Sequence, residues 1–167
     1  GHLILNSIVF VLMHVQLAKP PSATNKTMHR ILGRVSFLCL TVGTVCAVWL
    51  ASEHDPVTAY GGALSKYGFW FMSACVYSCA VMGVLAIRGG NAASHRVWMI
   101  RFAGSMWGAF WIFRIMLLVT GPIFRDYESV SLLLSIWLSA PLGILLAEII
   151  RKKLEKRAQT RGVPPLS

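Results

Sequence analysis

Five apolar stretches, each near the length of a bilayer crossing, take up most of the chain and leave little room for any other fold. They run from about Leu3 to Ala18, Ile31 to Leu50, Tyr67 to Ile87, Val97 to Gly121 and Val130 to Ile150. A helix needs about 20 mostly apolar residues to cross the hydrocarbon core, and four of the five reach that length. The first is short where the chain opens on Gly1 without a methionine, so a longer upstream segment is expected. It lacks the basic leader and small-residue cleavage site of a signal peptide and reads as a true crossing. The runs are continuous rather than alternating, which argues against a strand barrel. Backbone in lipid must satisfy its own hydrogen bonds, so the expected fold is all-α: a polytopic transmembrane bundle of about five crossings over residues 1–150. Residues 151–167 form a polybasic juxtamembrane tail.

Charge gives the expected orientation. Only 13% of residues are charged, yet the net charge is +10, and the basic residues cluster. In a five-crossing arrangement one side holds Lys19, Lys26, Arg30, Arg34, Arg88, Arg96, Arg101 and the run from Arg151 to Arg161. The other holds Lys66 and Arg125 among Glu53, Asp55, Asp126 and Glu128. Short basic loops mark the cytoplasmic or matrix face. The C-terminus is therefore expected inside, in a bacterial plasma membrane or a mitochondrial inner membrane. The basic face would attract anionic headgroups, and nothing calls for a nucleic-acid partner. The sequon Asn25-Lys26-Thr27 falls on the wrong side for glycosylation.

Punctuation marks the helix ends. Pro20-Pro21-Ser22 closes the first, Thr27 and Ser94 are candidate caps for the second and fourth, and Gly89-Gly90-Asn91 ends the third. Gly61-Gly62 breaks the outer loop, Gly121-Pro122 ends the fourth crossing, and Pro141 should kink the fifth. Gly162-Val-Pro-Pro reads as a loose tail. Cys75, Cys79 and Gly83 form a stripe at four-residue spacing, and Gly104-x-x-x-Gly108 forms another, both suited to close helix packing. Cys39, Cys46, Cys75 and Cys79 lie within crossings and suggest neither a zinc site nor a disulfide framework.

Chemistry concentrates on the basic side. The second crossing opens with His29-Arg30-x-x-Gly33-Arg34 and the fourth with His95-Arg96-x-Trp98-Met99-x-Arg101. Both helices start from the same face, which puts His29 and His95 at matching depth and Arg34 and Arg101 about 7–9 Å deeper. His14 falls in the same layer, and Glu148 is a candidate counter-charge. Arg114 stands in the outer half of the fourth crossing, with Asp126, Glu128, Glu53 and Asp55 as candidate partners. Ionisable residues inside crossings mark functional sites by default. His2 and His54 lie near the outer face.

These two motifs, with His2, Gln16 and Arg114, resemble a family of multi-pass membrane proteins classed as a domain of unknown function. The likeness covers about Gly1 to Thr120 and implies a helical membrane fold without an assigned activity. The pairing of second and fourth crossings is also similar to that of b-type membrane cytochromes, in which histidines from two helices hold haem iron. Two leading readings stay open, with a small transporter or lipid-handling enzyme as a third. In the first, the protein is an electron-transfer module binding haem b or quinone through His29, His95, Arg34, Arg101, His14 and Arg96, with His29 and His95 as the metal ligands. In the second, it is an accessory subunit of a larger membrane assembly such as a respiratory complex, with other membrane subunits as partners. Whether it is an enzyme stays open too, since no nucleophile–base pair or phosphate-cradling loop is present.

Overall fold

The computed structural model describes residues 1–18, 25–53, 62–125 and 128–160. Every regular element among them is helical: α1 (His2–Ala18), α2 (Lys26–Glu53), α3 (Gly62–Arg88), α4 (Ala92–Trp107), a π-helical turn (Gly108–Ile112), α5 (Phe113–Ile123) and α6 (Glu128–Thr160). Four spans are long and apolar enough to cross a membrane, with α1 as a shorter apolar helix. The chain is an integral membrane protein with a polytopic helical fold. The helices overrun the apolar stretches at both ends; α6 carries the basic run from Arg151 to Arg157 out as continuous helix. Pro20-Pro21-Ser22, His54, Gly61 and Gly162-Val-Pro-Pro lie outside the described residues.

Two expected caps are corrected. Helix α2 begins at Lys26 with the His29 amide donating to the Asn25 carbonyl at 3.0 Å, so Thr27 sits inside the first turn. Asn91, not Ser94, caps α4: its side-chain oxygen accepts from the Ser94 amide at 2.8 Å. Asparagine fits an N-cap as well as serine does, and each lies one turn or less upstream of the expected residue. Asn91→Ala is expected to cost about 1 kcal/mol, read as a lower unfolding midpoint in detergent. Gly121-Pro122 does not end its helix, which runs to Ile123 with a last bond from the Phe124 amide to the Thr120 carbonyl. The end of α3 is as expected and has a stated geometry. Gly90 takes φ +77°, the Asn91 amide donates to Ala86 and the Gly90 amide to Ile87. That is the Schellman pattern, which needs a left-handed residue that glycine adopts without a Cβ penalty.

The helices pack as two compact units, Gly1–Glu53 and His54–Ser167. In the first, α1 and α2 run antiparallel, with Gly43 against Leu5 and Asn6, and Gly33 beside Gln16. The facing residues, Asn6, Val9, Met13 and Gln16 against Gly33, Ser36, Leu40 and Gly43, recur at three- and four-residue spacing, the period of a coiled-coil seam. Val9, Met13, Leu40 and Gly43 are buried along it.

The second unit packs α3, α4–α5 and α6. Gly104 and Gly143 meet backbone to backbone, and Gly108 lies on the Ser139 carbonyl and the Ala140 Cα. A Cβ at any of the three would run into main chain. The expected small-residue stripe on the fourth crossing is therefore filled from within the chain, by a matching stripe on α6 of Ser131, Ser135, Ser139, Gly143 and Ala147. Close backbone approach through small residues is how helices gain dispersion contacts where lipid removes the hydrophobic drive between them. Gly68 of α3 takes Ile136 and Trp137 of α6; Trp137 also stacks on Phe71 and donates to the Leu64 carbonyl at 3.2 Å. Thr120 and Ser131 hydroxyls join the end of α5 to the start of α6 at 2.5 Å.

Candidate functional site on the basic side

In the second unit the end of α3, the start of α4 and the basic end of α6 converge. Gly83 is the hinge of this arrangement. Without a side chain it lets Met99 and Trp98 of α4 close onto α3, and that approach brings His95 within reach of its carbonyl. The His95 Nδ1 lies 2.8 Å from the Gly83 oxygen. A carbonyl can only accept, so Nδ1 carries the proton and the lone pair falls on Nε2. A half-buried imidazole is thereby fixed in one tautomer and one orientation by main chain from a different helix.

Arg101 lies six residues further along α4 than His95 and pairs with Glu148. Its Nε–H donates to Glu148 Oε1 at 2.6 Å, and its guanidinium lies 4.5 Å over the Trp98 ring. The second oxygen of Glu148 takes Arg151, whose Nη2 stands at 2.8 Å and whose Nη1 donates to Glu155 at 2.7 Å. The sequence reading singled out Arg101 and Glu148 but not Arg151 as a partner. Glu148 and Arg151 are one turn apart on α6, and that i,i+3 spacing was the available signal. Arg96 is exposed at the start of α4.

The remaining sequence candidates, His14, His29 and Arg34, belong to the first unit. His14 directs Nδ1 at the Phe10 carbonyl one turn back, 2.7 Å away, with its ring 4.4 Å from the Phe10 ring. By the register of the seam it lies level with Arg34 and Val35. His29 stands in the first turn of α2 and Arg34 is exposed. Gln16 and Ser36 also face this seam, and neither was read as a candidate for a site from its residue type.

Arg114 reaches back along its own helix. Its Nη1–H donates to the Phe110 carbonyl inside the π-helical turn, and the guanidinium stands 5.8 Å from the Phe110 ring. The guanidinium therefore points back toward the middle of the span. Asp55, Asp126 and the Glu128 side chain lie outside the described residues, and Glu53 belongs to the first unit.

Among the described residues no group of three or more His, Cys, Asp or Glu side chains is placed to hold a metal ion. Comparison with curated proteins and with solved structures finds no match. A family model described as "Predicted membrane protein (DUF2306)" matches residues 1–151. The match extends past Thr120 through the fifth crossing, further than the two motifs alone indicated. The chain belongs to this DUF2306 family of membrane proteins.

Proposed function

We propose that the protein is a membrane electron-transfer module that binds haem b or quinone through its basic-side histidines and arginines, with His95 as a ligand residue. The observation that carries this reading is the Nδ1–H of His95 donating to the Gly83 carbonyl. Imidazoles that bind metals characteristically donate their other ring N–H to a carbonyl or carboxylate, which fixes the tautomer and raises ligand basicity. Haem would be held by a histidine such as His95. When bound, haem would supply one-electron chemistry. The chain's own contribution is to orient His95 and to hold Arg101 through Glu148, near enough to the membrane face to meet a propionate or a carbonyl. The C-terminus and the basic ends lie on the cytoplasmic or matrix side in this proposal, following the charge asymmetry.

The test is the absorption spectrum of the full chain purified in mild detergent from a haem-replete host. A Soret band with reduced-state α and β bands is expected, lost in His95→Ala. A colourless preparation that elutes with larger membrane partners would instead favour the accessory-subunit reading.

A further inference from the structure

The seam of the first unit holds polar atoms that bond nothing among the described residues. Gln16 Nε2 and Ser36 Oγ are both buried, and neither has a hydrogen-bond partner among those residues. For Ser36 this departs from what its own helix does elsewhere. Thr41 and Ser52 donate to carbonyls one turn back, Phe37 at 2.8 Å and Val48 at 2.7 Å, the usual resting place of a hydroxyl on a helix. The Ser36 hydroxyl is turned away from that option. Leaving a buried donor unsatisfied costs about 1–3 kcal/mol, and in lipid no water is at hand to offset it.

Gly33 explains where these atoms face. It lies between them on the seam, opposite Gln16 and one turn before Ser36. The two glycines of this helix differ in a telling way. A Cβ at Gly43 would press into Asn6 at 2.6 Å and Leu5 at 3.3 Å, so that glycine is required by close packing. A Cβ at Gly33 would meet only Gln16 Oε1, at 3.9 Å. Packing does not demand glycine there; its missing side chain leaves a notch beside the Gln16 amide group, with Ser36 one turn along α2 and the buried side chains of Met13 and Leu40 further along the seam. Gly33 is seven residues into α2, about 10 Å from its basic end at 1.5 Å per residue. The exposed Arg30 and Arg34 on the same helix are the groups a phosphate would choose. Neutral donors in an apolar seam suit a neutral acceptor on an apolar body.

We infer that the notch formed by Gly33, Gln16 and Ser36 binds a carbonyl oxygen of a membrane-dissolved quinone, with the Gln16 amide and the Ser36 hydroxyl as donors. This rests on the electron-transfer reading above and names the ligand class for a second position within it. The experiment uses the full chain in detergent with ubiquinone-1 as probe, binding read by equilibrium dialysis and folding by the unfolding midpoint. Wild-type protein should bind saturably. Gly33→Leu, which fills the notch, and Gln16→Leu, which removes a donor, should each weaken binding at least tenfold. Both should hold or raise the midpoint, since glycine is a poor helix former and the Gln16 donor is unpaired. Ser36→Ala should weaken binding less, and Gly121→Leu, a change into open space, should leave it as in wild type. No saturable binding by wild type, or unchanged affinity in both Gln16→Leu and Gly33→Leu, overturns the inference. The Soret band of the same samples separates the two proposals. A band with notch-independent quinone binding removes only the notch, and a colourless protein with notch-dependent binding removes only haem.

Discussion

Gly143→Leu is expected to cost the second unit more than about 3 kcal/mol and to leave most of the protein aggregated on extraction. Overpacking a full core typically costs about 1–3 kcal/mol when side chains can give way. Here they cannot, because the atoms facing Gly143 are the Gly104 carbonyl and the Gly108 amide nitrogen of the neighbouring helix. Main chain yields only if α4 and α6 separate, and that would also strip Gly108 from Ser139 and Ala140. Gly104→Leu should behave alike, since its Cβ would meet the Gly143 carbonyl and the Ala147 methyl. Gly121→Leu is the control. Nothing lies within 4 Å of a Cβ there, and the midpoint should stay within about 0.5 kcal/mol of wild type. The measurement is the thermal midpoint and monodisperse fraction in one detergent.

Glu148→Ala is expected to cost about 2 kcal/mol. The carboxylate serves two arginines, one on each oxygen, and its removal leaves Arg101 and Arg151 as neighbouring like charges. Breaking a fully buried pair by removing one partner costs about 3–5 kcal/mol. The lower figure applies because Arg101 keeps 30% of its side chain exposed and can turn to headgroup or water. Glu148→Gln should lose less, since the amide oxygen still accepts one bond. Replacing Arg101 and Glu148 together by leucine should recover most of the loss, because the stranded charge rather than the missing pair carries the penalty. Arg151 keeps Glu155 in that double variant. Unfolding midpoints of the four proteins are the measurement, and equal losses in all three variants would count against this reading.

Much of this architecture is legible in the chain because lipid imposes continuous apolar runs, and a run of 20 has one common solution. The crossings appear where those runs lie, Glu148 meets Arg101, and the Gly104-x-x-x-Gly108 stripe is a packing face. What the stripe packs on is harder to read: Ser139 and Gly143 lie in a run of small and apolar residues that favours no single partner. The α4 cap shifts to Asn91 because asparagine competes with Ser94 for the same role, and α2 opens at Lys26, ahead of Thr27. The π-helical turn carries no local signature in Gly108-Ala-Phe-Trp-Ile, so the direction of Arg114, which bonds into that turn, was not readable either. The notch at Gly33 depends on which α1 residue stands opposite it. Gln16 and Ser36 are ordinary residues in sequence; only the antiparallel register, with Gly43 against Asn6, sets them on one seam.

The most direct test of the central assignment is chemical rescue of His95. Removal of the imidazole in His95→Gly should abolish the Soret band of purified protein, and free imidazole in the millimolar range should restore it with the wild-type peak position. A band of full intensity in His95→Gly without imidazole, or wild-type protein with no band at all, would contradict the account.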